Sequence, residues 1–394
     1  MNLATHSGLV LGFLLLSACS GDGSADGGGG TGAGTGGTGD GGSGNTTSTG
    51  TSTLDCTGAA VDGPARADAV VPIAGVTVST LAGSATQGSA DGLGSAAQFY
   101  NPVNLVVSPP DTLWIADFDN GAIRRSTFGG DVSTHTKQAN FARPFGLVLA
   151  ADGSLIVQTD YDETGKEAGN SRGAVWRVDP STGEATSLAT AIGRPRGMAR
   201  LPGGKIAISD TYRHDLRLLD ATTGAVTALA GVEGCPDFDD GRGSAARFNA
   251  PYGLVATSSG DVLVADHDNH VIRRVTQTGD VSTFAGDGVP GMVDGPIAEA
   301  RFDHPKDLAI DAAGNVYVSD VGNLRIRVIG IDGQVRTVAG DGVAGFTDGA
   351  GTAARFFGME GIDVTPDGKT VFVADGTGGE PGLPYHRIRK LTMP

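Results

Sequence analysis

The feature that most constrains this chain's fold is a unit that recurs six times. Each unit contains an apolar strand that ends in Asp, then a segment rich in Ile and Arg, then a strand near Val-Ser-Thr. A repeat of 43 to 56 residues fits one four-stranded blade with loops of variable length. The six strand-ending aspartates are Asp117, Asp160, Asp210, Asp266, Asp320 and Asp375.

The fifth unit shows the pattern of strands most clearly. Its apolar, β-branched runs are short, they are separated by turn residues such as Asp-Gly and Gly-Asn, and no helical period of comparable length occurs. Four strands per unit, six units and no crossover helices predict an all-β, six-bladed β-propeller rather than a sandwich. The runs of this unit are 308–310, 316–319, 324–329 and 335–339.

The two ends of the repeat array indicate how the ring closes. The last unit supplies strands near 362–365, 370–374 and 387–391, and then the chain stops one strand short. A spare strand at 76–83 has the sequence of a fourth strand but no complete unit before it. We therefore predict that strand 76–83 pairs with the final strand and completes the last blade, which removes an open seam. The predicted propeller spans 76–394.

Two stretches, 248–280 and 302–333, resemble NHL repeats. The resemblance extends over roughly 76–394 and is closest in blades one, four and five, with insertions at 161–174 and 376–386. It implies an NHL-type propeller. Members of that family mostly bind ligands or proteins, and some related propellers are enzymes, so the fold alone does not decide the function.

The N-terminal segment predicts export. Residues 1–18 have the short apolar run of a signal peptide, and Leu-Ser-Ala-Cys at its end resembles a bacterial lipobox. A diacylated Cys19 would anchor the protein stably. Ser20, in place of Asp, favours the outer membrane, on its periplasmic or surface side. The alternative is an ordinary secretory leader in which Cys19 is coincidental.

Residues 19–55 follow as a Gly/Ser/Thr-rich linker that lacks the apolar side chains needed to offset the entropy of ordering. Residues 56–75 form a connecting arm. In an oxidising compartment, Cys56 and Cys235 suggest one disulfide between this arm and the loop before blade four. Two free thiols are the alternative.

The net charge limits the kinds of partner that this protein is expected to bind. A net charge of −16 argues against nucleic acid and against attraction to anionic lipid. We expect a monomer that meets the membrane only through its lipid and binds a protein, peptide or glycan.

The repeated aspartates predict a structural task, because an Asp at a strand end accepts backbone N–H bonds in the following turn. Arginines recur beyond them and are predicted to pair with or pack over neighbours. These arginines are Arg124, Arg217, Arg273 and Arg325.

Neither a metal nor a catalytic residue is predicted. Amidating lyases, which are related propellers, place zinc-binding His just after the Pro that opens an inner strand, whereas no His stands there in this chain. His214 and His270 share one repeat slot, which indicates a structural role. No Gly-x-Ser-x-Gly motif occurs. We expect no cofactor. The enzymatic alternative is a lactonase- or lyase-like propeller with a divalent cation such as calcium near Glu360, Asn104 and Asp307.

The residues at those inner-strand entrances are the candidate binding site. They combine aromatic faces with charge around the channel mouth, which suits a ligand site. They are Phe145, Arg196, Tyr252, Lys306 and Glu360. The alternative is that the three charged side chains only neutralise one another. A purely structural role for the whole propeller also stays open.

Four long loops share a further pattern, in which Asp-Gly is followed by a short helical piece whose Phe packs inward. The loops before blades two and three lack it, which predicts a low rim on that side. The loops are 91–99, 240–248, 294–302 and 348–356.

Overall fold

The computed structural model describes residues 61, 63–166, 172–378 and 382–394. All of them belong to one compact unit, Leu54–Pro394. The predicted signal peptide, Cys19, the linker and Cys56 lie outside the described residues. The described chain forms six antiparallel sheets of four or five strands, which confirms the all-β, six-bladed propeller.

Each blade runs from an inner strand outward. The inner strands are Pro102–Ser108 (β3), Pro144–Leu149 (β7), Pro195–Arg200 (β11), Pro251–Ala256 (β16), Pro305–Ile310 (β21) and Gly358–Val364 (β26). The second strands are Thr112–Asp117 (β4), Leu155–Thr159 (β8), Lys205–Asp210 (β12), Val262–Asp266 (β17), Val316–Asp320 (β22) and Thr370–Gly376 (β27).

The third strands are Ala122–Ser126 (β5), Ala174–Val178 (β9), Asp215–Asp220 (β13), Val271–Val275 (β18), Arg325–Ile329 (β23) and His386–Thr392 (β28). The fourth strands are Asp131–Thr136 (β6), Ala185–Ala189 (β10), Val226–Gly231 (β14), Asp280–Ala285 (β19), Gln334–Ala339 (β24) and Thr77–Ser84 (β1). Four two-residue strands extend the outer edge: Gly92–Leu93 (β2), Gly241–Arg242 (β15), Gly295–Pro296 (β20) and Gly349–Ala350 (β25).

The position of a strand within its blade explains its sequence. Second strands such as β17 and β22 are buried at every position, because neighbouring blades cover both faces of the sheet. Fourth strands such as β6 and β19 contain mostly exposed or half-buried positions and only two buried ones each, because they lie near the outer edge of the blade. The continuous apolar runs before each Asp therefore belong in the middle of the blade.

Ring closure follows the prediction. Strand β1 pairs antiparallel with β28 from Thr77 opposite Thr392 to Ser84 opposite His386, with one register shift between Thr80 and Ala82. The inner strands contact one another in sequence around the ring, including β26 with β3. The N-terminal strand is thus the outer strand of the last blade.

The hydrophobic core is divided into six clusters of described residues, one between each neighbouring pair of blades. Phe99, Phe248, Phe302 and Phe356 are fully buried in these clusters. These are the phenylalanines of the four long loops, so their predicted inward packing is confirmed. The Asp-Gly of each loop starts β2, β15, β20 or β25, so the loops thicken the outer edge of blades one, four, five and six.

The connecting arm lies along blade five. The Ala69 backbone N–H donates to the Met292 carbonyl oxygen (2.9 Å), and the Ile73 N–H donates to the Thr337 carbonyl oxygen (2.9 Å). The Val71 N–H donates to Asp294 Oδ2 (2.6 Å). The arm therefore crosses blade five before β1 joins blade six. Among the described residues, no helix has the length and hydropathy needed to span a membrane.

Candidate functional site

The strand-ending aspartates and the arginines that pair with them are the repeated contacts around which the site is arranged, and we call them the Asp–Arg frame. In blade four, Asp266 is fully buried and accepts bonds from the Arg273 guanidinium (2.8 Å), the Asn269 amide (2.9 Å) and the Asn249 backbone N–H (2.8 Å). Burial raises the pKa of Asp266 to about 6, and the charge of Arg273 opposes that rise. The second arm of Arg273 pairs with Asp240 of the Asp-Gly loop (2.7 Å). The aspartate is therefore structural.

Two details of the sequence interpretation were wrong. The backbone N–H that most of these aspartates accept comes from the loop before the inner strand, as Tyr100 donates to Asp117, and not from the following turn. Asp210, which accepts from Tyr212 and Arg213, does cap its following turn. In blade five the pairing arginine is Arg327, seven residues after the strand-ending aspartate, and not Arg325.

Blade two departs from this frame. Strand register places Trp176 opposite Val157, the slot that arginine fills in the other five blades. Within the described part of its own blade Asp160 therefore has no arginine partner and accepts only the Gln158 amide (3.1 Å), while both guanidinium arms of Arg196 from blade three donate to it (2.6 and 3.1 Å). Burial raises the pKa of Asp160, but the charges of Arg196 and Arg194 and the hydrogen bonds from Arg196 and Gln158 together outweigh burial, and the net shift is downward. In blade two the charge partner of the strand-ending aspartate thus comes from the neighbouring blade.

The five predicted mouth residues do lie together, and we call them the mouth cluster. The Arg196 guanidinium lies 4.2 Å from the centroid of the Phe145 ring, and that ring lies edge-on to Tyr252 at 5.8 Å. Lys306 Nζ lies 4.9 Å from the Tyr252 ring centroid and forms an ion pair with Glu360. The cluster therefore joins blades two to six across the axis.

The charges of the mouth cluster are internally satisfied. Burial alone would lower the pKa of Lys306, but the charge and hydrogen bond of Glu360 together with the interaction with Tyr252 outweigh burial, and the net shift is upward. Burial raises the pKa of Tyr252 to about 12. Lys306 and Glu360 neutralise each other, as the alternative interpretation held, whereas Arg196 is neutralised by Asp160. The cluster is suited to be the floor of a site rather than a set of free ligand-binding groups.

A cavity of about 500 Å³ opens beside this floor, between blades one and two. Arg143 lies between two aromatic rings on its wall, 5.5 Å from the centroids of both Phe118 and Tyr161. Its Nε lies 4.0 Å from Asp119, and Phe118 contacts Phe145 of the mouth cluster edge-on at 6.0 Å. The loop before blade two, which lacks the Asp-Gly pattern, lines this cavity.

The sequence interpretation missed the cavity residues. Two signals were available: Arg143 directly precedes the Pro that opens an inner strand, and Tyr161 begins the insertion of blade two.

Comparison with known proteins agrees with this architecture. The NHL repeat family profile matches residues 302–329. The chain is 32% identical over 173 residues to the chloroplastic protein SUPPRESSOR OF QUENCHING 1 of Arabidopsis thaliana, covering 40% of this chain and 16% of that one. It is 30% identical over 148 residues to NHL repeat-containing protein 2 of Bos taurus, covering 35% and 20%. The chain is an NHL-repeat β-propeller.

The matches to these curated relatives cover a fifth of their length or less, so they inform the repeat and not the whole protein. A crystal structure of an auxiliary nutrient binding protein from Bacteroides ovatus superposes on the NHL propeller with a TM-score of 0.62 and 20% identity. The superposition covers 80% of this chain and 76% of that one. At that identity the likeness shows the fold alone.

The NHL propeller does not leave the atoms of the predicted cation site free. Asp307 Oδ2 accepts the Ile362 backbone N–H (3.0 Å), and Asn104 Oδ1 accepts the Leu105 N–H (2.7 Å). Glu360 pairs with Lys306. Burial raises the pKa of Asp307 to about 7, and its other oxygen would lie 2.0 Å from a Cβ at Gly253, which explains the glycine there. The Asp307–Ile362 bond and the Lys306–Glu360 pair link β21 with β26, whereas the Asn104 bond lies within its own strand.

Three histidines of the NHL propeller share one structural task. The Nδ1 atoms of His214 and His386 accept the backbone N–H of Ala250 (3.0 Å) and Asn101 (3.2 Å). His270 Nδ1 does the same for residue 304 (3.1 Å). Each of these three nitrogens accepts a hydrogen bond from a residue that has the left-handed conformation and lies just before an inner strand. The shared slot is therefore structural, as the sequence indicated.

Cys235 is buried and disulfide-bonded. Cys56 lies outside the described residues, so the Cys56–Cys235 pairing stays a prediction. Gly288 lies between Phe238 and Val61, so a Cβ there would meet both side chains at 3.2 Å. The described start of the arm thus lies near the loop that carries Cys235.

Proposed function

We propose that this protein is an exported binding scaffold, anchored to the cell envelope by lipid on Cys19, that holds a peptide, glycan or protein ligand at its channel-mouth face. The supporting observation is the cavity of about 500 Å³ between blades one and two. Ligand sites are concave, mostly apolar and supplied with a few convergent polar groups. The cavity has a more polar lining than that, in which the rings of Phe118 and Tyr161 stand among charged and amide side chains, and the adjoining mouth cluster adds the rings of Phe145 and Tyr252.

The chemistry of the wall suggests what is bound. Phe118 and Tyr161 offer aromatic faces, Arg143 and Lys137 offer charge, and the Asp119 carboxylate lies beside them. Aromatic rings with nearby donors and acceptors suit a sugar ring or an extended peptide. The Bacteroides ovatus protein of the same fold is described as an auxiliary nutrient binding protein, which agrees with a binding role.

The cation-dependent lactonase or lyase alternative receives no comparable support. Asp307 Oδ2, Asn104 Oδ1 and Glu360 Oε1 each already accept a hydrogen bond from the protein. A cation bound through these atoms would compete with the contacts that Asp307 and Glu360 make between β21 and β26.

The test is direct binding. The full chain is applied to oligosaccharide and peptide arrays, and the strongest binders are measured by isothermal titration calorimetry. Arg143→Ala should weaken them about tenfold, since it removes a cation from the cavity wall and a hydrogen bond from a charged group to a ligand is worth about 1.5 kcal/mol or more. Arg336→Ala, which removes a half-exposed arginine paired with Asp332, is the matched control and should bind as the wild type does.

Equal affinity of the two variants, or no binder on either array, would contradict the proposed site. The anchor is tested separately by metabolic labelling with palmitate. Wild-type protein should take up the label and Cys19→Ser should not, while label in both would refute the assignment of Cys19.

A further inference from the structure

A second group of chemically active side chains lies at the junction of blades four and five. His267 and Asp268 occupy the turn between β17 and β18, and His304 lies just before β21. The ring centroids of His267 and His304 are 4.8 Å apart, and His267 contacts Tyr252 of the mouth cluster at 5.8 Å. The group therefore borders the channel mouth on the side away from the cavity.

The hydrogen bonds orient two imidazoles and one carboxylate toward one another. His304 Nδ1 bonds to Asp303 Oδ1 (2.7 Å), so its Nε2 faces away from that partner, 3.9 Å from Asp268 Oδ1. His267 Nδ1 lies 2.7 Å from the same Asp268 oxygen. One ligand atom from each of His267, Asp268 and His304 lies within 4.8 Å of the others. A carboxylate that holds the far nitrogen of an imidazole is the usual outer support of a metal-binding histidine.

The neighbouring His270 does not belong to this group of ligands. Its Nδ1 accepts the backbone N–H of residue 304 (3.1 Å). A neutral imidazole whose Nδ1 accepts a bond carries its proton on Nε2, so neither nitrogen is left to bind a metal.

The repeat does not require these residue types. The position after the strand-ending aspartate, filled by His267, is Phe118, Thr211 or Val321 in other blades. The residue before the inner-strand proline, filled by His304, is Asn101 in blade one. Propeller folding therefore accounts for His270, whose slot recurs, but not for the pair that flanks Asp268.

We propose that His267, Asp268 and His304 bind one divalent transition-metal ion of the zinc class. Two imidazoles and one carboxylate are a ligand set that zinc accepts, and three protein ligands leave a fourth position open. The ligand atoms need to shift by about 1 Å to reach a zinc–nitrogen distance near 2.1 Å. The net charge of −16 favours cation binding over anion binding. This site departs from the expectation of no metal and does not depend on the proposed ligand cavity.

The test uses the full chain without an affinity tag, stripped with a chelator and titrated with ZnCl₂ in a calorimeter. We expect one ion per chain. His304→Asn keeps a residue that tolerates the left-handed backbone at position 304, and Asp268→Asn keeps the side-chain shape. Each should weaken zinc binding at least tenfold. His135→Ala removes a histidine that packs on Trp114 in blade one, far from the group in sequence, and should bind zinc as the wild type does.

Cobalt absorption distinguishes a metal-binding histidine from a purely structural one, because only the loss of a metal ligand changes the spectrum of the bound ion. Co²⁺ in the wild-type protein should give the intense visible absorption of a low-coordinate site, and His304→Asn should lose it. Circular dichroism shows whether each variant is folded. If His304→Asn does not fold, Asp268→Asn takes its place in the cobalt measurement. Absence of stoichiometric zinc binding, or equal binding by wild type and both folded variants, would overturn the proposal.

Discussion

The strongest consequence of the Asp–Arg frame concerns two adjacent arginines of strand β18. Arg273 has no solvent exposure, lies 5.3 Å from the Phe248 ring centroid and pairs with both Asp266 and Asp240. The side chain of Arg274 is half exposed and pairs with Asp261. Both residues are arginine on one strand and both form ion pairs, so they differ mainly in burial.

Arg273→Ala leaves the buried Asp266 carboxylate without its charge partner. Removing one partner of a buried ion pair costs about 3–5 kcal/mol, whereas an exposed pair is worth about 0.2–1 kcal/mol. With an unfolding entropy of about 2.1 cal/mol/K per residue over roughly 320 residues, 1 kcal/mol corresponds to about 1.5 °C. Arg273→Ala should therefore lower Tm by about 4–7 °C, and Arg274→Ala by less than about 2 °C.

The assay is thermal unfolding followed by circular dichroism at pH 7.5. Adding Asp266→Asn to Arg273→Ala should recover part of the loss, because the amide still accepts the Asn249 N–H without a stranded charge. The deficit of Arg273→Ala should also shrink at pH 5, where a buried Asp266 takes up a proton. If the two single variants melt within about 1 °C of each other, or if the second substitution restores nothing, the reasoning is refuted.

Two further predictions concern His214 and Cys235. Burial lowers the pKa of His214, while the charges of Asp268 and Asp215 oppose that shift, so the folded state binds fewer protons than the unfolded state just below pH 6.5 and stability falls as pH drops through that window. His214→Asn keeps an acceptor for the Ala250 N–H but does not titrate, so its Tm should fall less than the wild-type Tm between pH 7 and 5, and equal falls would contradict this role. Peptide mapping of the non-reduced protein should give one Cys56–Cys235 cross-linked pair, and alkylation of both thiols without reduction would exclude it.

The repeat made most of the fold predictable from sequence. Counting strands was enough to assign 76–83 to the last blade, because a closed ring leaves no other partner for it. The mouth residues were also predictable, since they hold one position in successive units. The position of Arg327 could have been found by its offset of seven from Asp320, but the nearer Arg325 occupies a similar stretch.

The rest depends on contacts between blades that sequence offsets do not contain. The cavity joins Phe118, Arg143 and Tyr161 from two blades, and their proximity depends on loops of unequal length. The sequence shows that histidines and an aspartate are present in these loops. It does not show the hydrogen bond that turns His304 Nε2 toward Asp268.

The candidate site arises where the repeat is least regular. Blade two has Trp176 in the slot of the framework arginine and lacks the Asp-Gly loop, and both departures act on the same face. Asp160 is instead paired with Arg196 of the neighbouring blade three, and the loop before blade two lines the cavity beside Phe118. A regular blade such as blade four keeps its aspartate paired with its own arginine and carries a fifth strand at its outer edge. For the proposed binding function, we therefore expect specificity to depend on these two departures of blade two.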